Sequence, residues 1–554
     1  MGKKSTFLLL SLTFIAALAV SVASMPMHPE LLERLRSEDG LSDVVRSLEE
    51  AREKGVFEPN PEPPAFVGKG MPFDQPAIVL IVDFDDNPAD TLNYPTAHYD
   101  SLLFSQGIYP TGSMRDFYLE NSYGTVDITG AVTVWLRMPQ SYAYYADGQY
   151  GFGDYPNNAQ KLTEDAVLAA DSLVDFKQFD ADSNGYVDAL FVVHAGMGAE
   201  VTGDPWDIWS HAWRTSYPIA VDDVLVRRYS MEPEDGKIGV FSHELGHVFG
   251  LPDLYDYGYD SNGLGGWTVM AGGSWGNSGR TPVHFDAWCK TKLGFITPFE
   301  PSAGTLSTIE FPWSEFTPFA YKIYMDGQPF HEYFIVENRS NVGFDLYLPG
   351  PGLCVYHCDD TVSTGNDLQW YPGYTDSGHY LVAMEQADGQ YGLEKNYGSN
   401  AGDPYPGTLV NRALNDTTIP DTRTYSFVAT GVCVEDVSDP ADTMTANLCV
   451  GTPGIMEAYS GPVAADLAYG LLRSSPNPFY DRISISFAMS VSGYARLDVF
   501  DISGRLVGTL VDGFIERGVH DTEWTPAERS GGVYFCVLQS GGEKAISKIT
   551  LLRN

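Results

Sequence analysis

The chain has 554 residues, 44% of them apolar and 13% aromatic, with 73 acidic against 33 basic side chains and a formal net charge of −40. That composition excludes a disordered protein, and the length exceeds what one core can organise, so three or four units are expected. The acidic balance argues against nucleic acid as a partner, since phosphate binding needs the opposite sign, and it suits divalent cations.

Residues 1–24 read as an export signal: Lys3 and Lys4 form a basic start, Phe7 to Val20 are almost wholly apolar, and Ser21 to Ser24 offer small residues for cleavage. Nothing later approaches twenty consecutive apolar residues, so the mature chain is expected to be soluble, outside the cytoplasm and without a transmembrane segment. Residues 29–56 show helical spacing with mixed charges, and the Pro-rich stretch from Glu58 to Ala65 reads as an extended linker. A charged helical segment between signal and linker suggests a propeptide over 25–68, with a frayed extension as the alternative. It holds no cysteine, so no thiol is available there to cap a metal.

Residues 69–300 alternate strand and helix patterns, which predicts an α/β catalytic unit. Ala77–Asp83 and Ala189–His194 are short apolar runs of buried-strand type, Val126–Gly130 and Val132–Trp135 alternate like sheet, and helices are predicted over Gly112–Asn121, Asn158–Leu173 and Thr281–Leu293. Between the second helix and its strand, Asp180, Asp182, Asn184 and Asp188 place oxygens at alternating positions around Gly185, the make-up of a calcium loop; an ordinary acidic turn is the alternative. Phe191 stands where an EF-hand needs glutamate, so the loop is not of that kind.

The chemistry concentrates in His243 to Tyr255, which contains H-E-x-x-H. On a helix, residues four apart share a face, so His243 and His247 can converge on one ion, with Glu244 beside them in reach of a metal-bound water. Gly250 and Pro252 allow a left-handed exit from the helix, and the turn can bring Asp253 back as third ligand. Asp256, one turn on, is the alternative. Two imidazoles and a carboxylate leave a fourth position for water, which marks a catalytic rather than a structural zinc site. Tyr255, His211 and Arg280 are the nominees for an oxyanion donor. Downstream, the glycine-rich stretch 263–279 around Met270 resembles the methionine-bearing turn under the metal of metzincin-type peptidases.

Residues 301–452 turn to short alternating strands, such as Tyr333–Glu337, Gly352–His357 and Tyr380–Met384, and read as an all-β sandwich module. His357, Asp359, Asp360, Asp388 and Asp403 within it are expected at strand-end turns rather than at a second metal. Of six cysteines, Cys433 with Cys449 is the plausible bridge, whereas Cys354 and Cys358 would lie about 13 Å apart on one extended segment. After a small-residue linker, 453–473, the strands Ile483–Phe487, Ala495–Phe500 and Gly532–Leu538 predict an Ig-like sandwich over 474–554.

Ile81-Val-Asp-Phe84, Gly112 to Tyr118, the Asp-x-Asp-x-Asn-Gly loop, Ile208-Trp-Ser-His211, His243 to Asp256 and Tyr347-Leu-Pro-Gly350 together resemble the immune-inhibitor-A-like secreted zinc metallopeptidases. The resemblance implies a multidomain chain with a metzincin-like α/β catalytic domain, secreted as a proform and supported by calcium. It puts His243, His247 and Asp253 on zinc and makes Glu244 the general base for hydrolysis of protein or peptide substrates. The tail is similar to sorting domains of type IX secretion cargo and to the Ig-like domain of flagellar hook-cap proteins. The first likeness implies a secretion machinery as partner and a place outside, or on the surface of, a bacterial cell. A reading from another class is a calcium-stabilised surface adhesion protein with an inactive metal site, against which the intact Glu244 speaks.

Overall fold

The run Ala77–Asp83 is a strand because every one of its first six side chains finds a buried place, which an alternating sequence could not satisfy. The structure, a computed structural model, describes residues 24–56, 63–64, 67–68, 72–325, 329–374, 378–451, 470–475, 479–489, 493–502, 505–515, 518–526, 530–540 and 543–553. The expected export signal up to residue 23 and most of both linkers lie outside the described residues. Two units are present, one made of residues up to 422 with 431–451, the other of 423–430 with 452–554.

Among the described residues the first sheet has six strands, β1 (Phe73–Asp83), β2 (Val126–Val132), β3 (Leu136–Arg137), β4 (Leu190–His194), β5 (His211–Val221) and β6 (Val224–Pro233). Their order is β2-β1-β4-β6-β5, with β3 also on β1. All neighbours are parallel except β5, which lies antiparallel to β6 at the edge. The expected strand Val132–Trp135 does not form separately; β2 ends at Val132. Ser113 starts the helix Met114–Asn121 through a reciprocal capping box with Asp116, and Asn158 caps Ala159–Ala170. The expected helix from Thr281 is shorter, Ala287–Leu293. The amides of His284 and Phe285 donate to the side chains of Asp345 and Asn121 at 2.8 and 3.0 Å, and Asp286 then caps the helix. The backbone there is satisfied from outside, so the helix begins only where that help ends.

The β-rich region adds β7 (Gly304–Pro312), β8 (Tyr321–Tyr324), β9 (Glu332–Arg339), β10 (Gly352–Asp359), β11 (Val382–Met384), β12 (Ala413–Leu414), β13 (Cys433–Glu435) and β14 (Thr443–Val450). They form two antiparallel sheets, β11-β10-β9-β8 and β12-β13-β14-β7. Every residue of β9 and β10 is buried. Tyr333, Ile335, Cys354 and Tyr356 face the catalytic core, and Phe334, Val336, Leu353 and Val355 face the other sheet. The inner sheet is therefore shared between layers rather than belonging to a detachable module. A disulfide joins Cys433 to Cys449 across β13 and β14, while Cys354 and Cys358 are free and buried.

Of the five polar residues expected at strand-end turns, His357 departs from expectation. His357 is buried mid-strand, its ring nitrogens 3.0 Å from Glu332 and 3.1 Å from Glu385. Asp359 takes bonds from His331 and His379, Asp360 from Trp288 and Tyr333, and Asp403 from Trp267. Asp388 accepts from Gln390 N, Asp359 also from Thr361 N and Asp403 also from Asn400 N, each at 2.9 Å, so these three close turns as expected. At the end of β9, Arg339 is fully buried and binds both oxygens of Asp345 at 2.7 and 2.8 Å. In the second unit, the strands Gly470–Ser475, Ile483–Met489 and Gly518–Trp524 face Gly493–Asp501, Leu506–Ile515, Gly532–Ser540 and Glu543–Leu551 across a core that includes Ile485, Phe487, Leu497, Val499 and Leu538.

Two stability predictions follow from these buried charges. Asp345→Ala strips the buried Arg339 guanidinium of its close carboxylate, leaving only Glu337 Oε1 at 3.9 Å, an expected loss of about 3 kcal/mol. It is read as a lower thermal midpoint of the full chain, and an unchanged midpoint contradicts it. Burial alone would lower the pKa of His357, but Glu332 and Glu385 outweigh it and raise it to about 9 from 6.5. The stabilisation is complete below about pH 6.5 and fades as pH rises through 9. His357→Gln should remove that pH dependence of the midpoint.

Candidate metal centre

The helix Ile238–Val248 is buried along its whole length. His243 and His247, four residues apart, bring their Nε2 atoms to 3.0 Å. The Nδ1 of His243 meets the carbonyl of Val269 at 2.7 Å and that of His247 the carbonyl of Leu251 at 2.8 Å. A carbonyl only accepts, so each ring carries its proton on Nδ1 and presents a lone pair at Nε2. The helix ends as its residues require. Gly250 adopts φ 88°, its amide bonding back to His247 O at 2.9 Å, and Pro252 follows. The turn brings Asp253 Oδ1 to 3.0 Å from His243 Nε2 and 3.4 Å from His247 Nε2.

Three buried acceptors with no hydrogen between them repel one another unless a cation lies in their midst. Ligands about 2.0–2.1 Å from a tetrahedral zinc stand roughly 3.3 Å apart, so the observed spacings fit that ion. Asp256 is placed elsewhere, accepting from Gly258 N at 2.7 Å and from Ser261 N and Oγ at 2.6 Å. Glu244 is also fully buried, with both carboxylate oxygens lacking a hydrogen-bond partner, and burial pushes its pKa well up.

Met270 lies against the same helix. A Cβ built on Gly246 would stand 2.6 Å from its Sδ, so the glycine between the histidines permits the approach. The residue before Met270 supplies the carbonyl that orients His243, so one turn both floors the helix and sets the tautomer.

The cleft holds a piece of the chain itself. Ser24 bridges antiparallel to His211 on β5, and its carbonyl lies 2.8 Å from His243 Nε2 and 3.0 Å from the Tyr255 hydroxyl. Ser24 N donates to Asp253 Oδ2 at 2.8 Å, Met27 N to the Tyr259 hydroxyl at 3.0 Å, and Trp275 Nε1 to Pro26 O at 2.9 Å. Of the nominated oxyanion donors, Tyr255 thus faces the centre. The His211 ring is held in the core by Trp209 O and the Tyr229 hydroxyl, and Arg280 is exposed. Tyr257, not singled out from sequence, donates to Asp253 Oδ2 at 3.2 Å. An aromatic two residues past the usual ligand turn carries no periodic signal that could have marked it.

In the acidic loop, Asp180, Asp182 and Asp188 each offer an oxygen within 4.8 Å of the others, and Asn184 sits among them, its backbone amide donating to Asp180 Oδ1 and Asp182 Oδ1 at 3.0 Å. Its side-chain oxygen accepts from Tyr186 N at 2.8 Å and so closes the turn. Burial raises Asp188 to about 6.

A metal-content measurement separates the two aspartates. After dialysis, Asp253→Ala should lose stoichiometric zinc while Asp256→Asn retains it; the reverse result contradicts the geometry.

Residues 73–294 match the model of the immune inhibitor A peptidase M6 catalytic domain, and residues 475–551 that of a secretion system C-terminal sorting domain. Immune inhibitor A of Bacillus thuringiensis subsp. alesti is 32% identical over 259 residues, 38% of this chain and 38% of that protein. The pre-pro-metalloprotease PrtV of Vibrio cholerae serotype O1 is 29% identical over 268 residues, 39% of this chain and 29% of that protein. The chain therefore spans between about three and four tenths of the length of these curated relatives. A solved structure of OgpA from Akkermansia muciniphila aligns over 86% of this chain and 91% of its own, at 9% identity and a TM-score of 0.21. By the two domain matches, residues 73–294 are a peptidase M6 catalytic domain of the immune inhibitor A kind, and residues 475–551 a secretion-system C-terminal sorting domain.

Proposed function

We propose that the protein is a secreted zinc-dependent endopeptidase with a metzincin-like catalytic domain, made as an inactive precursor. The observation that carries this is the convergence of His243 Nε2, His247 Nε2 and Asp253 Oδ1 within 3.0–3.4 Å beside the buried Glu244, with the Tyr255 hydroxyl donating at 3.0 Å to a peptide carbonyl that lies against the site on a backbone antiparallel to the edge strand. A cleft that satisfies an extended peptide through its main chain accepts peptides of many sequences.

Bound by His243, His247 and Asp253, zinc would lower the pKa of a coordinated water toward neutrality and polarise the substrate carbonyl. Glu244 takes the proton of the attacking water and hands it to the leaving amine. The Tyr255 hydroxyl donates to the oxygen that becomes negative as the carbonyl is attacked. Residues 25–68 act as the propeptide, their start lying along the cleft through Met25 N on Ser210 O, Trp209 Nε1 on Met25 O and Met27 N on the Tyr259 hydroxyl. Asp180, Asp182 and Asp188 hold calcium. The Ig-like tail addresses the chain to a type IX secretion machinery and so to the outside or surface of a bacterial cell.

The test uses casein, with and without a chelator, after proteolytic removal of residues 25–68. The wild type should cleave it, the chelator should stop cleavage, and Glu244→Ala should lose roughly a thousandfold in rate. Full cleavage by the Ala variant overturns the mechanism, and no cleavage by either protein favours a calcium-stabilised adhesion protein.

A further inference from the structure

We propose that the cleft carries, beside the metal centre, a subsite for a cationic side chain formed by the Tyr257 ring and the Asp367 carboxylate, so that peptides with arginine there are preferred. The inference rests on the peptidase reading and adds a specificity to it. The chain supplies its own occupant. The helix Leu41–Glu53 closes a cavity lined by Ser24, Leu48, Glu49, Arg52, Tyr255, Tyr257 and Tyr259. In it the Arg52 guanidinium carbon lies 4.0 Å from the Tyr257 ring centroid, and Nη2 lies 3.5 Å from Asp367 Oδ2.

The receiving groups are held independently of Arg52. Asp367 Oδ1 accepts from Tyr257 N at 3.2 Å, which locks carboxylate and ring into one unit, and the Tyr257 hydroxyl reaches Asp253 Oδ2 at 3.2 Å. The subsite is thus one side chain away from a metal ligand. Four of the seven lining residues belong to the N-terminal segment, so its removal opens three tyrosine side chains to the cleft, with Asp367 at the place Arg52 leaves. A guanidinium is flat and weakly hydrated; it stacks on an aromatic face while pairing with a carboxylate, which a leucine or glutamate cannot do. The Arg52 and Asp367 side chains are 21% and 26% exposed, so solvent screens the pair only in part. Asp367 lies between β10 and β11, which gives the β-rich region a wall of the substrate cleft.

Two measurements on the zinc-loaded full chain, treated with trypsin to remove the N-terminal segment and then quenched with a serine-protease inhibitor, test this. In the first, otherwise identical peptides carry Arg, Leu or Glu at each position around the cut bond. At one position arginine should exceed leucine about tenfold in kcat/KM, and Asp367→Asn should bring that ratio toward one. In the second, a labelled synthetic peptide of residues 24–56 is bound to the Glu244→Ala protein, where nothing is cut. Arg52→Leu in the peptide should weaken binding about tenfold, and much less when Asp367→Asn is also present. Equal ratios at every position, or equal binding by the two peptides, overturns the subsite. Binding that depends on Arg52 without cleavage of any peptide supports the subsite and overturns the peptidase reading instead.

Discussion

Three lone pairs held within 3.0–3.4 Å of one another in a dry interior are the constraint around which the catalytic unit is arranged. In water such a cluster would hydrate; here His243, His247 and Asp253 are buried, so the repulsion has to be answered by a cation and by fixed geometry. Each surrounding feature serves that geometry. Helical spacing aligns the rings, the carbonyls of Val269 and Leu251 fix their protons on the far nitrogens, and Gly250 bends the chain so that Asp253 returns. Gly246 lets Met270 close beneath them.

The floor of the centre is in turn held from the β-rich region. Arg339, at the end of β9, donates to the carbonyl of Trp267, three residues before Met270, and Asp403 accepts from the Trp267 indole at 3.0 Å. The charge on Arg339 is matched by Asp345, whose carboxylate also receives the amide of His284 on the segment after the glycine-rich loop. Because β9 and β10 bury one face against the catalytic core and the other against a second sheet, movement of the inner sheet is movement of the metal floor. That arrangement explains why the turn aspartates Asp359 and Asp403 also hold histidine and tryptophan side chains of other segments.

Much of the architecture was legible because local rules and tertiary environment agree. The apolar runs at 77–83 and 189–194 became central parallel strands, and Ser113 and Asn158 capped the helices that follow them. Cys433 and Cys449 paired on adjacent strands. Where reading failed, a distant partner had replaced a local one. The helix expected from Thr281 starts six residues late because Asp345 and Asn121 take the amides of His284 and Phe285.

Sequence alone determined the two histidines, the glutamate between them and the turn after them, because helical period and the backbone freedom of glycine are properties of a few consecutive residues. Only the tertiary structure decided that Asp253 rather than Asp256 lies against the imidazoles, since that depends on which carboxylate the Gly258 and Ser261 amides capture. It also decided what fills the cleft. Ser24 and Arg52 reach the centre from more than two hundred residues away in sequence, through an edge strand and an aromatic ring whose positions are set by the packing of the whole unit.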